Sequence, residues 1–379
     1  MPASDPVSII VGNIAWQGWE SVAITRSIEA VPASFSLIGT EKYPGPTGLS
    51  KVDILPGSPC QITLGGDTVI TGYVDGRDYD LSADQHEVRV SGRSKLEDLV
   101  DCSGALPQQQ SVGRTLGALA NLLCGKLGIS VSLPDGDTPT IPSITILLTE
   151  TGYETLERVA RWNARLLYDD TNGNLVIAKV GTTKHASGFQ EGVNVQAVQS
   201  TLNVSERFTS IAAIWLDTTI LSQGTDVSPL PYVNDQSLAV DKSFPARADG
   251  KPRYRPLLIL AEQGQNQNNL VPQRVQWEMA RRVGRSQAVT ITCDSWRDSA
   301  GVLWTPNQLA DISIPSCKVS GTWLISTVTY LRDAGGTRAE VTLMPPAAFV
   351  PQPAVAYTSD NETLSAAGQN TTGAQTPTQ

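Results

Sequence analysis

His86 and His185 are the only histidines in the chain, and they fall in different expected domains. A histidine-based catalytic pair or a histidine metal site is therefore close to excluded. His86, between Gln85 and Glu87 at a strand start, reads as a solvated residue. Asp75, Asp78, Asp80 and Asp84 offer the oxygen atoms that calcium prefers, but no glutamate closes an EF-hand loop. They read instead as turn acids capping backbone amides. Ser103-Gly104 and Gly321-Thr322 lack the flanking glycines of a nucleophile elbow, and Gly65-Gly66 lacks the downstream GK[ST] of a phosphate loop. Glycoside cleavage needs two carboxylates across a sugar cleft, and no Glu stands in a lysozyme-like or amidase-like context. Cys60, Cys102, Cys124, Cys293 and Cys317 are odd in number, far apart and without CxxC spacing. They read as buried, reduced thiols made in a cytoplasm. The expectation is no catalytic residue, no cofactor-binding residue, no metal ligand and no cofactor: the chain is not an enzyme.

Other elements must then carry the function. Of the 379 residues, 40% are apolar and only 17% charged, with 32 Gly and 24 Pro. That balance suits short strands and turns more than long helices, and the length implies more than one core. The formal net charge is −9, and no Lys/Arg cluster makes a basic face, so a sequence-specific DNA reader is not expected. No secretory leader is legible, and no apolar run reaches the roughly 18 residues of a membrane helix. The chain is expected to be soluble when synthesised.

Residues 69 to 101 organise the first part. Val69, Thr71, Tyr73 and Val74 suit a strand, and Val88 and Val90 alternate with charged neighbours as in a strand with one wet face. Ser94 and Glu97 have capping-box spacing, which predicts a helix start there. Further strands are expected at Val7–Val11, Ala23–Thr25, Phe35–Leu37 and Cys60–Leu64, and a Pro/Gly-rich loop at 41–50. This spacing suggests a small antiparallel barrel over 1–104. Over 105–196 the period becomes helical, with Leu116, Leu119, Leu123 and Leu127 and then Leu156, Val159 and Ala160. A hairpin follows at Asn172-Gly173, giving an inserted α+β domain. Residues 218–256 read as a long excursion loop. A second β-barrel is expected over 257–350, with a helix at 270–285 and strands at 289–293, 309–314, 322–330 and 338–343. Residues 351–379 read as a flexible tail. Trp16, Trp19, Trp296 and Trp304 suit core packing or a subunit interface. Arg281, Arg282 and Arg285 suit a solvated face or pairing with acids of a neighbouring subunit.

Several strings carry a resemblance. They are Ile24-Thr25-Arg26-Ser27-Ile28-Glu29 with Phe35, Thr71-Gly72-Tyr73-Val74-Asp75-Gly76-Arg77, and Val90-Ser91-Gly92-Arg93 running on to Asp101-Cys102-Ser103. Trp296-Arg297-Asp298 and Leu303-Trp304-Thr305-Pro306-Asn307 complete the set. In this order they resemble the contractile-tail baseplate hub proteins of Mu-like phages, the tail protein P family. The resemblance implies two related β-barrels, the first interrupted by the insertion and completed by a strand within about 197–217. It further implies a homotrimeric ring with a central channel, joining the tail tube and other baseplate proteins to a trimeric cell-puncturing spike. Phage DNA would pass through the channel, without membrane insertion. The protein would be synthesised and assembled in the host cytoplasm and end in the virion, at the tail baseplate. The alternatives are a tail-associated cell-wall hydrolase, with 105–196 as its active part, or the hub of a pyocin-like or secretion device.

Overall fold

The computed structural model describes residues 5–40, 42–45, 48–51, 53–82, 86–104, 110–147, 149–163, 165–216, 233–246, 250–251, 253–261 and 267–350. The expected flexible tail at 351–379 lies outside the described residues, as does Asp84. The fold is mainly β, with a large antiparallel sheet and few helices.

The first module is built from β1 (Val7–Val11), β2 (Ile14–Trp16), β3 (Ser21–Ser27), β4 (Ser34–Thr40), β5 (Lys42–Gly45), β6 (Gly48–Lys51), β7 (Pro59–Leu64), β8 (Asp67–Leu81) and β9 (His86–Ser94). The alternating apolar residues point where expected: Val22 and Ile24, Phe35 and Leu37, and Val88 and Val90 are all buried. Gly72 belongs where β8 and β9 run close, since a Cβ there would lie 1.9 Å from the Arg93 carbonyl oxygen. Part of the expected loop at 41–50 is a small hairpin, with β5 paired to β6. Its Pro and Gly content hid a two-stranded ladder too short to show a period.

The insertion holds α1 (Glu97–Asp101), β10 (Gln110–Arg114), α2 (Leu116–Gly125), β11 (Val131–Ser132), β12 (Ile141–Thr145), α3 (Gly152–Trp162), β13 (Leu166–Asp169) and β14 (Leu175–Ala178). It has a core of its own, from Leu116 and Leu119 through Leu156 and Val159 to Leu175 and Ile177. The Asn172-Gly173 turn joins β13 to β14 as expected, with Gly173 at φ 74°. The capping box, however, is not at Ser94. Ser94 is still in β9, its amide donates to the Ala33 carbonyl, and its hydroxyl is buried without a partner. The box stands at Thr151 and Glu154, where each side chain accepts from the other's amide at 3.2 and 2.8 Å. Its T-x-x-E spacing was present in the sequence.

After the insertion come β15 (Phe189–Gln190), β16 (Val195–Leu202), β17 (Ser210–Leu216), β18 (Val233–Val240), β19 (Pro256–Ala261), α4 (Gln267–Arg285), β20 (Gln287–Cys293), β21 (Leu309–Ile314), β22 (Val319–Asp333) and β23 (Gly336–Met344). Three expectations need correction here. The strands within 197–217 do not complete the first module: β16 pairs β20, and β17 pairs β18 and β19 in a separate sheet. The excursion loop at 218–256 contains β18, a strand without alternation whose partner lies across a long connection. Residues 257–261 are not in the second module but run parallel to β17. Helix α4 covers this three-stranded sheet, packing Val275 and Met279 on Ile211, Ala213 and Ala239.

The two β modules are there, and they repeat one plan. In each, a 15-residue strand pairs one neighbour along its first half and another along its second, with a bulge just after the change. These trios are β7-β8-β9 and β21-β22-β23. The modules are also continuous. The main sheet runs β16-β20-β23-β22-β3-β4-β9-β8-β7-β1-β2, so β3 and β22 join two halves of one sheet. A single apolar core extends across that join, from Ile9 and Ile62 to Ile291 and Val341.

Candidate functional site: the seams and open edges of the framework

The polar chemistry of this chain is concentrated where its parts meet. The β3–β22 seam is an antiparallel ladder from Ser27↔Thr327 to Val22↔Arg332. On one face Thr25 and Thr329 hydroxyls meet at 3.1 Å, and Ser27 and Thr327 at 2.8 Å. Cross-strand hydroxyl pairs of this kind favour one register.

Trp296-Arg297-Asp298 lies beside this joint, and each residue binds a different part of the chain. Trp296 is buried, and its indole N–H donates to the Leu331 and Arg338 carbonyls. Arg297 reaches back to the first module. Its Nε donates to Asp5 at 2.6 Å, and its Nη groups to Asp67 at 2.7 Å and to the Leu64 carbonyl at 3.1 Å. Such charge-assisted bonds are stronger than neutral ones. Asp298 lies 3.1 Å from His185 Nδ1 and accepts the Ala186, Ala300 and Val302 amides. Burial pushes its carboxyl up, but these donors hold it below the usual carboxylate range.

His185 shows why an Asp–His contact is not a catalytic pair by itself. Its Nε2 accepts the Thr305 amide at 3.3 Å, so Nδ1 carries the proton given to Asp298. The ring also packs on Trp304 at 4.8 Å. Both nitrogens are engaged in fixing a loop.

A second seam joins the first module to the insertion. Arg93 lies between Asp75 at 2.7 Å, Glu97 at 3.3 Å and Asp101 at 2.8 Å. Hydrogen bonds to Asp101 and Asp75 raise the Arg93 pKa further. Glu97 is 8% exposed, and burial together with its Asp75 neighbour pushes its carboxyl up to about 8. The Ala33 amide donates to Asp169 at 2.9 Å, and Thr71 donates to the Thr171 carbonyl. Gly173 is required at this contact, since a Cβ there would come 2.4 Å from the Thr71 oxygen.

The remaining sequence candidates fall as follows. Asp75 serves Arg93, while Asp78 and Asp80 lie along β8 facing β9. His86 starts β9 and is exposed. Among the described residues, no group of three or more His, Cys, Asp or Glu is placed to hold a metal. Cys102 and Cys317 are exposed, against the expectation that all five cysteines are buried, while burial pushes the Cys60 and Cys124 thiols up to about 12 and Cys293 to about 11, which makes these three poor nucleophiles. Trp16, Trp296 and Trp304 are core residues, and Trp19 is packed against the same core. Arg282 pairs with Glu278 and Glu206, Arg285 pairs with Glu29, and Arg281 lies over the Trp277 ring, all within the chain.

The path of the main sheet ends at β16 and β2. Strand β16 is VQAVQSTL, without charge or proline, and mostly exposed. The Asn203 amide donates to the Ser286 carbonyl. By alternation, Ala197, Gln199 and Thr201 turn inward to β20, while Val198, Ser200 and Leu202 turn their backbone groups outward. Natural edge strands are normally blunted by charge, proline or brevity. This one is not.

Family comparisons cover much of the chain. Residues 6–94 match the model for the Mu phage baseplate assembly protein GpP-like N-terminal domain, and 97–179 the second domain of gp44-like baseplate hub proteins. Residues 268–352 match the fourth domain of the GpP model. Baseplate hub protein gp44 of Escherichia phage Mu is 30% identical over 352 residues, covering 92% of this chain and 89% of that protein. Among solved structures, the 43 kDa tail protein of prophage MuSo2 from Shewanella oneidensis is 30% identical, with a TM-score of 0.76. That match covers 91% of this chain and 99% of the tail protein. A tail protein from Neisseria meningitidis MC58 shares the fold at 19% identity and a TM-score of 0.72, covering 93% and 100% of the two chains.

Proposed function

The chain belongs to the baseplate hub protein family of Mu-like phages, and on that premise we propose that three copies close into a ring with a central channel. The ring joins the tail tube to the cell-puncturing spike and leaves a passage for DNA after contraction. The observation that carries this reading is the repetition of one strand plan in two modules fused edge to edge. Three such chains present six similar units, which lets a threefold hub meet a sixfold tube. The uncharged outer edge of β16 gives each chain an unfinished ladder for a neighbour. The net charge of −9 suits a wall that DNA passes without adhering. Assembly in the host cytoplasm agrees with five cysteines that form no disulfide.

The test is the oligomer mass of the purified chain, alone and with spike protein, at physiological salt. A trimer is expected, and Ser200→Pro should abolish it, because proline removes an outward N–H and leaves the inner ladder to β20 intact. A folded wild-type chain that stays monomeric with its spike present would overturn the ring. Incubation with peptidoglycan is expected to release no soluble fragments; release would favour a tail-associated hydrolase.

A further inference from the structure

Strand β3 presents Val22, Ile24 and Arg26 at successive inward positions, so the third core-facing site carries a cation. Arg26 is 7% exposed, and its Nε is enclosed without a hydrogen-bond partner. A charge withdrawn from water in this way is unfavourable unless something compensates it.

Arg26 lines a cavity of about 360 Å³ where the first module, the insertion hairpin and the second module meet. Several polar groups on that wall are already engaged. Asp169 accepts the Ala33 amide, and Asp170 accepts the Asn172 and Asn174 amides and the Asn174 side chain. Asn307 accepts the Gly181 amide and donates to the Tyr168 hydroxyl and the Lys179 carbonyl. The Tyr330 hydroxyl donates to the Trp304 carbonyl and takes a hydrogen bond from the Arg26 guanidinium, but it is neutral and leaves the charge without a counter-ion. None of these groups forms an ion pair with Arg26.

We propose that this cavity is a carboxylate-binding site in which Arg26 supplies the receiving fork. A guanidinium offers two parallel N–H donors matched to the two oxygens of a carboxylate. The acids on the wall, Asp169 and Asp170, weaken the site for any anion and for a doubly charged one most, which favours a singly charged carboxylate over a phosphate dianion. A free small acid and the tip of an Asp or Glu from a neighbouring protein share this chemistry. The site does not depend on the ring proposed above.

The experiment titrates the full chain with sodium acetate against sodium chloride at matched ionic strength. Thermal unfolding is followed together with the Arg26 Nε–Hε resonance. Wild type should show a saturable rise in midpoint with acetate over chloride and a saturable shift of that resonance. Arg26→Met should lose the acetate response, and Arg26→Lys should keep a weakened one. An identical response to acetate and chloride, or an undiminished acetate response in Arg26→Met, would overturn the proposal. The resonance in wild type decides the matter if Arg26→Met does not fold: no shift with acetate would sink it. Repeating the titration on the chain assembled with its partners separates the sources. A surviving response assigns the site to a free acid, and a lost one to a neighbour's side chain.

Discussion

The two seams of the first module are built on different principles. Toward the second module, β3 and β22 share a ladder and a core, so the joint is made of backbone hydrogen bonds and closely packed apolar side chains. Toward the insertion, separate cores meet through side chains, chiefly the Arg93 cluster and the Asp169 and Thr71 contacts. The first joint cannot open without exposing apolar surface. The second answers to the protonation of a few groups. The difference teaches that adjacent units in one chain can be fused or merely docked, according to whether the core is continuous.

The most drastic way to break this contrast is to place a charge in the shared core. Val328 is fully buried on β22, directly at the seam and opposite Arg26. Val328→Lys should cost at least about 3 kcal/mol, since it buries a second cation beside the first, and unfold both β modules together. Circular dichroism would show one lost transition; survival of one module alone would mean the seam is only docked.

The docked joint should be the pH-sensitive one. The folded state holds the Glu97 proton more tightly than the unfolded chain does, since the carboxyl moves from 4.5 to about 8. Its contribution to stability is therefore greatest below 4.5, declines as pH rises toward 8, and is flat above that. The change over that window should be roughly a few kcal/mol. Denaturant titrations across it should show the decline in wild type and a flatter profile in Glu97→Gln.

Arg297→Ala tests the clamp across the fused seam. It should lower stability by about 1–3 kcal/mol, because Asp5 and Asp67 lose a charged donor. Chemical denaturation would measure it, and no loss would mean the clamp adds nothing to the ladder. The smallest effect belongs to Thr329→Val, which removes the hydroxyl contact to Thr25. A loss of about 0.2–1 kcal/mol is expected in the same assay.

Strands whose apolar residues alternate were legible: Val22 and Ile24, Phe35 and Leu37, Val88 and Val90, and the four strands after residue 287. So were the helices of the insertion and the Asn172-Gly173 turn. What escaped was pairing over distance. Nothing in Val195–Leu202 says that its partner is β20 and not the first module, because a ladder is specified by both strands and by the core beneath them. Strand β18 escaped because its apolar residues do not alternate and its partner lies across a long connection. The box placed at Ser94 failed because β9 runs one turn further than local spacing suggests, while Thr151-Gly152-Tyr153-Glu154 carried the signal unread. The motif residues showed where to look but not what they do. Arg297 and Asp298 are adjacent in sequence, yet one secures a neighbouring module and the other a loop. Arg26 looked like an ordinary strand residue until its burial was seen.

The direction of the β3–β22 ladder also sets how the molecule bears load. A pull along the strands strains the interstrand bonds in parallel, so they must fail together. A pull across them would part the bonds one after another, like a zip. A baseplate protein under load would last longest with those strands lying along the line of force.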